Sequence, residues 1–138
     1  MVKLLGFVLL SLLILSACTM QQTKLALIEA LEGQSIQVTV FQVANEQEFE
    51  LNGAKSLLYK LDNGESLRFY HFASTKERIA AERLFEQRIQ FLSSHAPIIY
   101  RTADSLIFYS NNVDSPTRTA QITETTYGAQ IQKAISNM

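Results

Sequence analysis

Two β-rich runs flank the tripeptide Asp62-Asn63-Gly64 within Lys55 to Ser74, and the face each side chain must take limits how they pair. A two-residue Asn-Gly turn would set Asp62 against Glu65 and Lys60 against Leu67, mismatching charges and faces. A three-residue loop opposes Leu61 with Glu65, Tyr59 with Leu67 and Leu57 with Phe69. It also puts Gly64 in the left-handed position of a type I turn with a G1 bulge. A one-residue slip would move a strand's whole apolar set to the other face, so the three-residue register is expected.

Other elements follow from periodicity. Lys24 to Glu32 carries Leu25, Ile28 and Leu31 at three-residue spacing, with Gly33 as the stop, and reads as a short amphipathic helix. Ser35 to Phe41 alternates Ile36, Val38 and Val40 with Gln37 and Thr39, as a strand with one buried face does. Asn45 to Glu50 reads as an acidic loop, pinned by Phe49 and Leu51. Ser74-Thr75-Lys76-Glu77 is a capping box, with the Glu77 side chain expected to reach back to Ser74. The helix it opens should run to about Ser93, with Ala81, Leu84, Phe85, Ile89 and Leu92 on one stripe and Arg78, Glu82, Glu86 and Gln90 on another.

Ile98–Thr102 and Leu106–Ser110 read as paired strands around an Ala103-Asp104 turn. After a loop over Asn111 to Ser115, Pro116 suits the first turn of a final helix capped by Asp114 or Ser115 and ending near Ile135. Thr123, Thr125 and Thr126 weaken that helix. The order α-β-β-β-α-β-β-α implies a single small α+β domain. Its sheet of about five strands should be antiparallel or mixed, with helices packed on one face.

The N-terminus follows a different rule. Lys3 precedes Leu4 to Leu15, an uncharged apolar stretch of 12 residues, followed by Ser16, Ala17 and Cys18. This is the layout of a secretory signal peptide. It is short for a membrane span, which needs about 20 apolar residues. Leu15-Ser16-Ala17-Cys18 resembles the lipobox of bacterial lipoproteins, over the first 18 residues of the chain. The resemblance implies cleavage between Ala17 and Cys18 and a diacylglycerol on the Cys18 sulfur. Ordinary signal cleavage after Ala17 would put bulky Leu15 where a small residue is wanted. Cys18 is also the only Cys, which rules out an internal disulfide.

The expected division is therefore residues 1–17 as leader, 18–23 as lipidated N-terminus and tether, and 24–138 as the domain. The implied location is a bacterial membrane, anchored on its extracytoplasmic side. Removing the leader leaves 121 residues with 11 basic against 13 acidic side chains, a net of −2. That balance argues against a nucleic-acid partner and against attachment through a polybasic patch.

No familiar catalytic motif is present. The five Gly open no phosphate loop, no Gly-x-Ser-x-Gly occurs, and Cys18 is claimed by lipid. His71 and His95 are the only histidines, too few and too separated for a zinc site, so neither metal nor cofactor is expected. His71 shares its parity with Leu67 and Phe69 and reads as a strand-end histidine at the core edge; His95 reads as a solvated loop residue. Glu46, Glu48 and Glu50 read as a solvated acidic loop rather than a cation site, and Glu82 and Glu86 as a surface ion-pair set with Arg78 and Arg83.

Tyr59, Tyr70, Tyr100 and Tyr109 fall on expected strands. With His71 they are either a ligand groove or ordinary sheet packing, since aromatics favour strands. The function implied is a lipid-anchored binding or interaction module, non-enzymatic, with an envelope protein as possible partner. The alternatives are a small extracytoplasmic enzyme, for instance using His71 with a nearby carboxylate, or an accessory subunit of a membrane complex.

Overall fold

The computed structural model describes residues 21–41, 50–91 and 95–138. In it the central hairpin has the three-residue register. Strand β2 (Ser56–Leu61) pairs antiparallel with β3 (Ser66–His71), setting Tyr59 opposite Leu67 and Leu57 opposite Phe69. The Leu61 N–H donates to the Glu65 carbonyl at 3.0 Å, the Gly64 N–H donates to the Leu61 carbonyl at 3.0 Å, and Gly64 sits at φ +85°. A side chain at that φ is strained, which is why the loop closes on Gly.

Strand β1 (Val38–Phe41) lies outside β2, while β4 (Ile98–Arg101) and β5 (Ser105–Ser110) form the other hairpin. Strand order is β1-β2-β3-β5-β4, and every neighbouring pair is antiparallel. Helices α1 (residues 21–32), α2 (Thr75–Ile89) and α3 (Gly128–Ser136) complete the order α-β-β-β-α-β-β-α. The molecule is a single small α+β domain built on a five-stranded antiparallel sheet.

The helices cover both faces of the sheet, not one. On the first face, Leu27 and Leu31 of α1 and Ile131, Ala134 and Ile135 of α3 pack with Tyr59, Leu67, Phe69, Ile98, Tyr100, Ile107 and Tyr109. On the second, Ala81 and Phe85 of α2 pack with Leu51, Tyr70, Phe72, Leu106 and Phe108. The physical reason lies in β5, whose Leu106-Ile107-Phe108-Tyr109 run is apolar at both parities and buried throughout. A strand wet on one side cannot hold four consecutive large apolar residues; a strand covered on both sides can.

The helices also differ from expectation at their ends. Helix α1 already includes residues 21–23, which shortens the stretch expected as tether. Its inner stripe is Leu27 and Leu31 with Ile28, whereas Leu25 is 55 % exposed because it stands roughly 200° around the helix from Leu27. Helix α2 stops at Ile89; Leu84 points outward, Ala81 is the one buried residue of its stripe, and Leu92 and Ser93 lie outside the described residues.

Ser74 accepts from the Glu77 N–H at 3.2 Å, as the capping box requires. The Glu77 carboxylate, however, takes the Ala73 N–H, one residue before the expected one. The long final helix is replaced by an irregular segment, a 3-10 turn (Ile122–Glu124) and the short α3. Here threonine hydroxyls compete with the helical backbone pattern: Thr125 Oγ1 donates to the Ile122 carbonyl at 2.9 Å and accepts from the Gly128 N–H at 3.0 Å. Ser115 is buried within this segment rather than capping a helix, and its hydroxyl meets Thr117 Oγ1 and Glu124.

Candidate functional site

The polar cluster nearest to an enzyme-like arrangement sits where β3 ends and β5 begins. Their antiparallel pairing sets His71 opposite Ser105. His71 Nδ1 lies 3.2 Å from Ser105 Oγ and 3.7 Å from Asp104 Oδ1, and the Ser105 hydroxyl donates to that same carboxylate oxygen at 3.2 Å. The single hydroxyl proton can serve only one of these partners, so when it goes to Asp104 the His71 contact is an Nδ1–H donating to Oγ.

Serine hydrolase chemistry needs the opposite wiring, with one imidazole nitrogen taking the serine proton and the other held by the carboxylate. Here a single nitrogen meets both partners, and Ser105 is fully buried. As arranged, the three groups fasten the β4–β5 turn to the end of β3. The Phe72 N–H donating to the Asp104 carbonyl at 2.8 Å does the same work, while the Ser105 N–H donating to Thr102 Oγ1 at 3.1 Å closes the turn on itself.

Beside His71 is an open recess of about 470 Å³, lined also by Asn52, Gly53, Ala54, Phe72, Ala73 and Glu77. Its lip is a tight turn in which Leu51 and Ala54 exchange backbone hydrogen bonds at 3.0 Å, with Asn52 at φ +50° and Gly53 at φ +77°. This turn, at Asn52-Gly53, is not among the elements expected from periodicity. The signal was present, because Asn-Gly is the preferred pair where two successive residues need positive φ.

The structure does not bring the candidate tyrosines and His71 together around one groove. Tyr59, Tyr100 and Tyr109 are buried in the core beneath α1 and α3, while Tyr70 is buried on the opposite face beneath α2. His71 stacks beside Phe69 at the end of the first face. Burial raises the Tyr59 hydroxyl to about pKa 12, and this hydroxyl has no hydrogen-bond partner among the described residues. Tyr100 and Tyr109 are raised further, chiefly by burial, with Glu65 adding to the shift at Tyr109.

Tyr100 donates to the Gly128 carbonyl at 2.9 Å and so ties β4 to α3. Tyr109 donates to Glu65, a carboxylate only 4 % exposed that also accepts from Asn63 Nδ2 at 2.7 Å and the Asn112 N–H at 3.2 Å. Glu65 is the buried polar residue that the hairpin register anticipated only as the partner of Leu61.

Elsewhere an ion-pair set links α2 to β4, with the Arg78 and Glu82 side chains each only 13 % exposed rather than on an open surface. Glu82 pairs with Arg78 at 3.0 Å along α2 and with Arg101 on β4. His95 is exposed, with Nε2 3.2 Å from the Ser115 carbonyl. Glu46, Glu48, Ala17 and Cys18 lie outside the described residues, and Glu50 is exposed. Among the described residues no group of three or more His, Cys, Asp or Glu is placed to hold a metal, and no helix is long and apolar enough to cross a membrane. Exposed apolar side chains remain on α2 and just beyond it, at Ile79, Leu84 and the 88 % exposed Phe91. No protein-family model, curated protein or solved structure matches the chain.

Proposed function

We propose that this chain is the precursor of a bacterial lipoprotein. Cleavage between Ala17 and Cys18 and acylation of the Cys18 sulfur would hold the α+β domain at the outer face of a membrane as a binding or interaction module. The observation that carries the reading is the run Leu15-Ser16-Ala17-Cys18 at the end of an apolar leader, with α1 under way by residue 21. Each buried CH₂ contributes about 0.8 kcal/mol, so two acyl chains retain a domain that has no polybasic patch to help.

A binding role rather than an enzymatic one is supported by the wiring at His71, where a buried Ser105 and Asp104 share one imidazole nitrogen.

The test is Cys18→Ala in the full-length precursor. The expected outcome is loss of radioactive fatty-acid labelling and failure of processing before residue 18. Undiminished labelling of the variant would overturn the proposal.

A further inference from the structure

We infer that the first turns of α1 lie against the membrane surface, with Leu25 seated in the lipid headgroup region; the inference rests on the proposed acylation of Cys18. Three Cα steps separate Cys18 from Gln21, the first described residue of α1, which is at most about 11 Å of chain. Leu25 lies four residues further on, about 6 Å along the helix axis. The headgroup layer on each side of a bilayer is itself about 6 Å deep. An acylated Cys18 therefore holds the start of α1 within reach of that layer, on too little chain to let the domain turn away freely.

The surface of α1 is graded in the matching sense. Leu25 is 55 % exposed, whereas Leu27 and Leu31 are fully buried in the core. The exposed residues around it, Gln21, Gln22 and Ala26, are uncharged. The acidic residues of the helix, Glu29 and Glu32, come only in its later turns, and both are exposed. Lys24 is the one charge in the earlier turns. An anionic surface attracts the lysine and repels the two glutamates, which favours the N-terminal end of α1 down and the C-terminal end lifted away.

The experiment uses the full-length, lipidated protein in vesicles of phosphatidylethanolamine and phosphatidylglycerol. Leu25→Cys and, separately, Glu32→Cys carry a fluorescent label on the new thiol, the Cys18 sulfur being acylated. The label at 25 should be quenched severalfold less by iodide than the label at 32, and should be quenched by brominated lipid. A Gly-Ser insertion between Thr19 and Met20 should restore iodide access at 25 while the protein still floats with the vesicles.

Equal iodide access at both positions in floating protein overturns the inference and leaves the anchor standing. Protection from iodide without quenching by brominated lipid means that a protein covers Leu25, which also overturns it. Failure to float removes the anchor, and the inference with it.

Discussion

Two buried tyrosines, on the strands either side of β3, show how much a single hydrogen bond decides. Tyr59 and Tyr109 are both fully buried on the same face of the sheet. Among the described residues the Tyr59 hydroxyl has no partner, while that of Tyr109 donates to Glu65 and accepts from the Tyr127 N–H at 3.4 Å. Burying a hydroxyl without a partner costs roughly 1–3 kcal/mol on mutational scales. Tyr59→Phe should therefore leave stability unchanged or raise it by about 1 kcal/mol. Tyr109→Phe strips the buried Glu65 of a donor and should cost about 1–3 kcal/mol. Urea denaturation of the two variants measures the contrast, and equal losses would refute it. The tyrosines were legible as strand residues; which hydroxyl would find a carboxylate was not, because Glu65 is 44 residues away in sequence.

At the scale of elements, short-range chemistry was the most readable part of the chain. The Ser74 cap forms as its spacing requires, and Ser74→Ala should cost about 1 kcal/mol in thermal or chemical unfolding. The β2–β3 register was legible because turn geometry and facial pairing agreed on one solution. The final helix was not, since Pro116 and Ser115 are genuine start signals that tertiary contacts override. The structure instead places Gly128 at the first turn of α3, where an added Cβ would lie 2.7 Å from the Ile122 carbonyl oxygen and against Thr125 Oγ1. Gly128→Ala should accordingly cost about 1–3 kcal/mol from overpacking, although alanine is the better helix former. A neutral result would mean that the 3-10 turn can move aside.

For the whole molecule, the buried tyrosines make alkaline pH the weak direction. A tyrosine is neutral when protonated, and burial raises the folded-state pKa of Tyr59 to about 12 from an ordinary 10.0. Tyr100 and Tyr109 shift the same way. Above pH 10 the unfolded chain releases these protons first, so it binds fewer than the native state and stability falls as pH rises. The contribution is fully present below pH 10 and is lost progressively as pH passes through the raised values. The melting temperature should hold up to about pH 10 and drop steeply beyond it. Tyr70 is raised by burial too, and the drop should be smaller in Tyr59→Phe, which removes one of these groups; an identical profile would contradict the assignment.

Local rules carried much of what the sequence by itself determined: the hairpin register, the α2 cap, the order of elements and the α+β class. Each depends on residues within a few positions of one another, or on a periodicity that a short window contains. Tertiary structure alone decided that helices cover both faces of the sheet, that Leu25 faces out while Leu27 faces in, and that His71 shares one nitrogen with Ser105 and Asp104. These outcomes depend on which distant surfaces meet. The continuous apolar run in β5 was the one local trace of the second covered face, because a strand that loses water on both sides needs no polar alternation.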